Sequence, residues 1–307
     1  MQFSVTILGS NSALPTSDRN PTAQVLNVSE RFFLIDCGEG TQMQLRKNKI
    51  RFSKINHIFI SHLHGDHYFG LIGLISTYGL LARTADLHIY AHKDLEYLLT
   101  PQLNHFGKEL PYKLIFHHID PSLNVVVYED SKLTVSSIPL KHRIPTCGFL
   151  FQEKPADLHI LREAIDFFEI PIKMIPFIKK GDDFILPSGE IIENNRLTKK
   201  PYKPRSYAFC SDTLYNEKIV SLVKEVDLLY HEATFMNDQK ELAKKTYHST
   251  AEQAALIADK AGVDRLIVGH FSTRYHDLQP LLEECRSVFP NSDLALDGSI
   301  FTIPQKS

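Results

Sequence analysis

The sequence predicts an α/β fold, and two observations indicate this class. Short apolar runs rich in β-branched and aromatic residues recur along the 307 residues, and helical patterns lie between some of them. Hydrophobic residues make up 43% of the chain, which is enough for a sizeable core. This mixture is typical of β-sheets covered by helices.

Ten short runs are predicted strands, and predicted helices fall between some of them. The strands are FSVTIL, FFLID, HIFIS, LHIYA, NVVVY, LTVSSI, YAFCS, DLLYHE, RLIVGH and DLALD. Helices are predicted at residues 68–80, 216–225, 250–261 and 277–288, with a short one at 157–168. Several strands end in a polar residue, namely Asp36, His62, Asp212, His231 and His270. A strand interior would bury such groups unpaired, so they indicate a site at the edge of a sheet.

Charge and cysteine content restrict the classes of function. A formal net charge of −2 gives no overall attraction for nucleic acid. The four cysteines lie far apart without a CxxC pair, which argues against a disulfide framework and a thiolate zinc site. No apolar run is long enough to cross a bilayer, and the N-terminal MQFSVTILGSNSALP lacks the basic start of a signal peptide. We therefore expect a cytoplasmic protein without a membrane partner.

The segment from 150 to 205 breaks the alternation of strands and helices. Five prolines fall within residues 171–204, and residues 171–205 carry eight Lys or Arg against four Asp or Glu. Proline-rich stretches without clean periodicity form loops and insertions. We expect an inserted basic arm that contacts a polyanion.

A cluster of histidines follows one of the predicted strands. The stretch FISHLHGDHYFGLIGL places His62, His64, Asp66 and His67 within six positions. Side chains two apart in a helix point to nearly opposite faces, so His62 and His64 can share a metal only in an extended segment. Asp66 and His67 then open a helix, whose positive end favours a charged carboxylate. These ligands suit Zn²⁺ or Mn²⁺, and their opposed directions suit two metals better than one.

A dinuclear site needs further ligands, and other motifs supply them. Candidates at strand ends are His142 in PLKHRIP, Asp212 in FCSDTL and His270 in VGHFS. His248 in YHST precedes a predicted helix for which Ser249 or Thr250 is the expected cap. Two metals about 3.5–4 Å apart activate water and neutralise the charge that develops on an attacked phosphate. The motifs therefore predict a site that hydrolyses esters.

Seven segments extend this pattern over the whole chain. They are LGSNSALPTSDRN (8–20), FLIDCGEGTQMQL (33–45), HLHGDHYFGLIGL (62–74), PLKHRIPTCGF (139–149), FCSDT (209–213), HEATF (231–235) and HSTAEQAA (248–255). The third is typical of the metallo-β-lactamase fold superfamily. In this order and spacing the seven resemble the ribonuclease Z family of tRNA 3′-processing endonucleases, in its short form. The resemblance implies an αββα sandwich of two mixed β-sheets flanked by helices, with metals at one edge of both sheets.

The resemblance also implies roles for individual residues. One zinc would be held by His62, His64 and His142, and a second by Asp66, His67 and His270, with Asp212 bridging both. Asp66 would accept the proton of the attacking water. His248 and Glu232 would form a pair that passes a proton to the departing 3′ oxygen. The turn 38–41 would lie close to the metals, where glycine lets the backbone approach the substrate. The implied reaction cuts precursor tRNA just after the discriminator base, leaving a 3′-hydroxyl on the tRNA and a 5′-phosphate on the trailer.

The basic insertion corresponds to the arm with which this family grips the tRNA elbow. We expect it at residues 150–205 of a single domain that spans residues 1–307. The segment IKKGDDFILPSGE resembles the middle of the family's arm, but the family's Gly-Pro pairs are missing. Expected phosphate contacts are Arg19, Lys179, Lys180, Lys199, Lys200, Lys203 and Arg205. The family also implies a homodimer in which one subunit's arm reaches the tRNA bound by the other, and no protein partner is evident.

Three functions from different classes remain open on the sequence. The first is the tRNA 3′ endonuclease with two Zn²⁺ ions per subunit, or Mn²⁺ in their place. The second is a hydrolase of the same superfamily that acts on a small phosphodiester, a sulfate ester or a lactam. The third is a non-catalytic module that binds RNA or another partner. The basic arm favours the first function over the second, and the presence of all seven expected ligands argues against the third.

Overall fold

Two seven-stranded β-sheets form the centre of the computed structural model, which describes residues 2–105 and 110–306. In chain order the strands are β1 (Phe3–Gly9), β2 (Ala23–Val28), β3 (Arg31–Ile35), β4 (Ile55–Phe59), β5 (Leu87–Ala91), β6 (Leu114–His118), β7 (Val126–Glu129), β8 (Leu133–Pro139), β9 (Cys147–Glu153), β10 (His159–Ile160), β11 (Phe184–Ile185), β12 (Ile191–Ile192), β13 (Thr198–Lys199), β14 (Ser206–Cys210), β15 (Leu228–Glu232), β16 (Leu266–Gly269), β17 (Ser292–Leu294) and β18 (Ile300–Thr302). The α-helices are α1 (Thr41–Lys47), α2 (Gly65–Leu80), α3 (Asp94–His105), α4 (Arg162–Phe167), α5 (Ile175–Ile178), α6 (Asn194–Leu197), α7 (Lys240–Thr246), α8 (Ala251–Ala261) and α9 (Gln279–Val288).

Both sheets are mixed, and each combines antiparallel with parallel strands. The first has the order β18-β1-β2-β3-β4-β5-β6, and the second has the order β17-β16-β15-β14-β9-β8-β7. In the first sheet the parallel part runs from β3 to β6, and in the second it runs from β14 to β17. Loops that leave the carboxyl ends of parallel strands form binding sites in open α/β sheets.

Three apolar layers hold the sandwich together. Aromatic side chains from both sheets fill the central layer, among them Phe33, Phe59, Phe149, Phe209 and Tyr230. The outer face of the first sheet packs against α1, α2 and α3, and that of the second sheet packs against α8 and α9. Strand β14 shows why these strands are apolar throughout: Phe209 faces the central layer, while Ala208 and Cys210 face the helices. The predicted αββα sandwich is confirmed.

Helix α8 begins with a complete capping box. The Thr250 hydroxyl accepts a hydrogen bond from the Gln253 backbone, and the Gln253 side chain accepts one from the Thr250 backbone. Gly262 ends the helix in a left-handed conformation with φ of 63°. Thr250, one of the two expected caps, therefore fixes where the chain leaves the HST motif.

Two predicted helices differ from the structure. Residues 216–225 form only a 3₁₀ turn at Glu217–Ile219, followed by further turns, because Ile219 and Val223 reach the apolar layer without a regular helix. Residues 157–168 contain β10, which pairs with β13, before the short helix α4 begins at Arg162. Of the remaining predicted helices, α2 starts three residues earlier than expected, and the last two match α8 and α9 closely.

The predicted arm is an insertion between β9 and β14, but its expected start at residue 150 is wrong. Residues up to Glu153 belong to β9, which pairs with both β8 and β14. The name arm therefore refers below to residues 154–205. The arm has an apolar cluster of its own, formed by Ala164, Ile170, Ile178, Phe184, Ile192 and Leu197. It thus folds around a small core distinct from the three layers of the sandwich.

Across residues 2–105 and 110–306, none of the helices combines the length and the apolar character that crossing a membrane requires. The four cysteines are buried free thiols, as their spacing predicted.

Candidate metal centre

The candidate site lies at one edge of the sandwich, and the chain reaches it from both sheets. Residues 60–63 follow β4 without regular structure, His64 is extended with φ of −75° and ψ of 144°, and α2 begins at the next residue. The predicted order of extended segment and helix is confirmed. His142 follows β8, Asp212 follows β14 and His270 follows β16, so the second sheet brings three more side chains to the same place.

One group of four side chains brings its nitrogen and oxygen atoms close together. It consists of His62, His64, His142 and Asp212, whose nearest nitrogen and oxygen atoms all lie within 4.8 Å of one another. His64 Nδ1 lies 3.1 Å from His62 Nε2 and 3.2 Å from His142 Nε2. Asp212 Oδ2 lies 3.7 Å from Nε2 of both His62 and His142. Three imidazole nitrogens and one carboxylate oxygen are a donor set that suits zinc.

A second group lies beside the first and consists of Asp66, His67 and His270. Asp66 Oδ2 lies 3.4 Å from Nε2 of both histidines. Asp212 Oδ1 lies 3.4 Å from His67 Nε2 and 3.2 Å from His270 Nε2. One oxygen of Asp212 therefore faces each group, as a bridging carboxylate requires.

The histidines are oriented through their second ring nitrogen. Nδ1 of His67 lies 2.7 Å from the Asp36 carboxylate, and Nδ1 of His142 lies 2.9 Å from the Tyr247 carbonyl oxygen. Nδ1 of His62 and of His270 lie 3.0 and 2.9 Å from the hydroxyls of Ser61 and Thr234, respectively. Metal-binding histidines typically show this arrangement, in which a hydrogen bond on one nitrogen directs the other toward the metal.

The electrostatics of the site favour a bound cation. Burial lowers the pKa of three histidines, His62, His64 and His142, so each keeps a nitrogen lone pair at neutral pH. Burial also opposes a charge on His67, but the carboxylates of Asp212, Asp66 and Asp36 outweigh it and raise its pKa well above the usual value. Among the described residues, the buried His67 Nε2 has no hydrogen-bond partner, and carboxylate oxygens of Asp66 and Asp212 lie 3.4 Å from it. A buried nitrogen without a partner, among carboxylates that stabilise positive charge, fits a metal ligand.

His248 and Glu232 form a pair next to these groups. Nδ1 of His248 lies 2.9 Å from Oε1 of Glu232, and the same carboxylate accepts hydrogen bonds from the backbone of Thr213 and from Thr234. Burial disfavours the charged imidazole, but Glu232 outweighs it and raises the pKa of His248 to about 9. His248 is therefore protonated at neutral pH and lies 4.0 Å from Asp212. A protonated histidine in this position can donate a proton.

Asp36 and Thr234 orient the site, although the sequence marks Asp36 only as the polar end of a strand and predicts no role for Thr234. Asp36 is fully buried, and the Ser61 backbone and hydroxyl both donate hydrogen bonds to its carboxylate. Asp36 and His270 have left-handed backbones, with φ of 55° and 60°, which cost energy in a non-glycine residue and concentrate at functional sites. The polar end of β3 was the signal for Asp36, but its partner His67 is 31 residues away in the sequence.

A cavity of about 560 Å³ opens over the site, and its wall includes His64, Asp66, His142, Asp212, His248 and His270. The turn 38–41 lies close by, as expected: Glu39 lines the cavity and a Cβ on Gly38 would collide with the backbone oxygen of Asp66. From the loop 10–20, the Ala13 N–H donates a 2.8 Å hydrogen bond to Asp66 Oδ2. This loop therefore holds one of the expected ligands.

The predicted RNA contacts lie outside this cavity. Lys180, Lys199, Lys200 and Lys203 are exposed on the arm, and Lys179 is half-buried. Arg19 donates a hydrogen bond to the Tyr275 carbonyl, at 3.0 Å. Their role in binding stays a prediction.

Arg205 does not fit the predicted role. Its side chain is only 2% exposed, and its guanidinium donates two hydrogen bonds to the carboxylate of Glu153, at 2.9 and 2.7 Å. It also lies over the Phe3 ring. The prediction that Arg205 contacts tRNA is wrong, because this side chain joins the base of the arm to the sandwich.

Comparisons with known proteins identify relatives of this chain. Residues 3–154 match the family described as anti-Pycsar protein Apyc1. The chain is 56% identical to ribonuclease Z of Bacteroides fragilis, over 97% of this chain and 98% of that one, and 54% identical to ribonuclease Z of Phocaeicola vulgatus, over 96% and 95%. The crystal structure of human tRNase Z, short form, superimposes with a TM-score of 0.70 at 27% identity, over 98% of this chain and 99% of that one. The metallo-β-lactamase fold protein YhfI of Bacillus subtilis has the same fold, with a TM-score of 0.68 at 18% identity, over 98% and 100%. With this identity over nearly its whole length, the chain belongs to the ribonuclease Z family of endoribonucleases.

Proposed function

We propose that the protein removes the 3′ trailer from precursor tRNA by cutting after the discriminator base, which leaves a 3′-hydroxyl on the tRNA. The observation that carries this proposal is the pair of ligand groups joined by Asp212, with the His248–Glu232 pair beside them. The names of the relatives, ribonuclease Z and tRNase Z, support tRNA as the substrate.

Two zinc ions are the proposed cofactor, with manganese as the alternative. One would be held by His62, His64 and His142, the other by Asp66, His67 and His270, and Asp212 would contact both. Bound there, the metals would polarise the scissile phosphate and make water a nucleophile at neutral pH.

The chain's own side chains would move the protons. Asp66, fixed by the Ala13 N–H, is the proposed acceptor of the proton from the attacking water. His248 is the proposed donor to the departing 3′ oxygen, and Glu232 keeps it protonated and oriented. Removing His248 should lower kcat by about 10²- to 10⁴-fold, the usual contribution of a general acid.

The experiment is cleavage of a 3′-extended precursor tRNA by the zinc-loaded protein, with the product ends mapped. Asp66→Ala and His248→Ala should each abolish or strongly reduce a cut after the discriminator base. A chromogenic phosphodiester serves as the control substrate. If the wild-type protein hydrolyses that diester but leaves the tRNA uncut, the function is that of a small-molecule hydrolase.

We further propose that the protein acts as a homodimer, in which the arm of one subunit contacts tRNA at the metal centre of the other. Glu153 and Arg205 are adjacent at the base of the arm, where the Glu153 N–H bonds the Arg205 carbonyl at 2.9 Å. Residues 155–203 can therefore be replaced by Asn-Gly without separating β9 from β14. Neither this armless variant nor Asp66→Ala should cut tRNA by itself. A mixed dimer of the two should cut it, because the arm of the Asp66→Ala subunit reaches the intact metal centre of the armless subunit. Light scattering that gives a monomer, or a mixture that stays inactive after subunit exchange, would contradict the arrangement.

A further inference from the structure

A large aromatic side chain is exposed at the mouth of the metal centre. Phe69 of α2 is 61% exposed and lines the same cavity as Asp66 and His248. Leu14, which is 64% exposed, and Pro15 contribute further apolar surface to that cavity. An exposed phenylalanine ring leaves a large apolar area in water, and this area is available for binding.

The ring of Phe69 has a defined position relative to the ligands. It lies directly against Gly65, where any Cβ atom would collide with it. The Tyr68 ring contacts it edge-on, with centroids 5.0 Å apart. Phe69 also follows Asp66 by three residues, so the two side chains project from neighbouring turns on one face of the helix. The first two turns of α2 thus present a carboxylate to the site and an aromatic face beside it.

We infer that Phe69 is a stacking platform for the nucleobase next to the scissile phosphate. This inference rests on the proposed function, which brings single-stranded RNA to the cavity. Proteins bind single-stranded RNA by stacking bases on aromatic side chains, and stacking tolerates any base because each has a π-face. Such a contact holds the phosphate over the metal centre without reading the trailer sequence, which varies between precursors.

The test separates base stacking from chemistry. Phe69→Leu keeps an apolar side chain but removes the aromatic face, and Phe69→Trp restores one. Leu80→Ala is the matched control, because Leu80 is an exposed apolar residue at the other end of the same helix and is 85% exposed. KM and kcat are measured for a precursor tRNA. Binding of metal-free protein to precursors with 2-aminopurine on either side of the cut is followed by fluorescence.

Losing one base-stacking contact weakens the binding free energy by about 1 kcal/mol or more. Phe69→Leu should therefore raise KM for the precursor at least about fivefold. On the same precursor, Phe69→Trp and Leu80→Ala should resemble the wild type. Stacking should change the fluorescence of one 2-aminopurine position, and Phe69→Leu should remove that change.

Two results would overturn the inference while the proposed function stands. One is a wild-type protein that cuts the precursor with a KM that Phe69→Leu leaves unchanged. The other is a Phe69→Leu variant that no longer dimerises but still changes the 2-aminopurine fluorescence as the wild type does. This result would make the apolar surface around Phe69 a contact between subunits. A wild-type protein that does not cut the precursor would instead refute the proposed function itself.

Discussion

Single atoms decide what this site can do. Asp212 directs one oxygen to each ligand group, and the Nδ1 atoms of His62, His67, His142 and His270 each have a hydrogen-bond partner that turns Nε2 inward. His64 is the exception, since its Nδ1 faces the group.

At this scale the first prediction concerns the proton on His248. Glu232→Gln removes the carboxylate that raises the pKa of His248 to about 9, so that pKa should fall. If protonated His248 is the donor to the leaving oxygen, activity is lost as pH rises through its pKa. The high-pH limb of the kcat profile should therefore move to lower pH in Glu232→Gln. We would measure cleavage between pH 6 and 10.

The exposed Glu241 of α7 provides the matched control, as Glu241→Gln should leave the profile unchanged. An unshifted limb in Glu232→Gln would mean that the alkaline loss of activity comes from another group.

At the scale of elements, the sequence predicts the structure correctly where the signal is local. An extended segment of two alternate histidines followed by a helix start can be predicted from six consecutive residues, and β4 and α2 have that form. The sequence predicts the structure wrongly where residues far apart in the chain determine it. In the sequence Arg205 does not differ from the other cations of the arm, and only the fold shows that it pairs with Glu153. Residues 216–225 have apolar residues at helical spacing, but turns that pack on the second sheet bury these side chains equally well. Asp36 was visible as a strand end, but only the fold brings it to His67.

The arm carries the second prediction. Lys199 and Lys200 are exposed there, and contacts of exposed lysines with phosphates weaken with salt because they release counterions. The double variant Lys199→Ala/Lys200→Ala should raise KM for precursor tRNA without affecting the small diester. Its plot of log KM against log salt should be shallower by about one for each lysine that contacts a phosphate.

A double variant of two exposed lysines outside the arm, Lys113→Ala/Lys224→Ala, should keep the wild-type slope. If both double variants give the same slope of log KM against log salt, Lys199 and Lys200 do not contact the RNA.

The third prediction concerns a row of histidines on neighbouring strands of the first sheet. His57 stacks on His88, and His88 Nδ1 lies 2.9 Å from His117 Nε2. Burial, reinforced by these two histidines, lowers the pKa of His57 to about 4. The unfolded chain, with a histidine pKa near 6.5, therefore binds the proton first, and the contribution of neutral His57 to stability is lost as pH falls from about 6.5 to about 4. The loss is about 3 kcal/mol.

Urea unfolding of metal-free protein across that pH range measures the effect. His57→Phe, which keeps a ring between Phe33 and Tyr128, should lose stability less steeply on acidification. The exposed His276→Phe should follow the wild type. If His57→Phe and His276→Phe show the same slope, His57 does not control acid stability.

The whole molecule brings the ligands together from two sheets. Residues 62–67 follow β4 of the first sheet, whereas His142, Asp212 and His270 follow strands of the second. The parallel strands of both sheets end near the same edge, and each ligand group takes side chains from both sheets. No single element therefore holds a complete ligand group. Metals bound there would connect the two halves of the sandwich, and they would be lost on unfolding because the ligands then separate.

The last prediction follows from that connection. A ligand that binds only the folded state stabilises it by about 4 kcal/mol at a thousand times its Kd, so zinc should raise Tm by several degrees over the chelated protein. In Asp212→Asn the carboxylate shared by both groups is gone, and the difference in Tm between zinc-loaded and chelated protein should shrink markedly. Comparing each variant with its own chelated form cancels any change in the stability of the metal-free fold. Asp238→Asn, an exposed change outside the ligand groups, should keep the full difference. A wild-type Tm that is the same with and without zinc, although elemental analysis shows that the loaded sample holds metal, would mean that the unfolded chain binds zinc as tightly as the folded one and that the metals do not connect the two sheets.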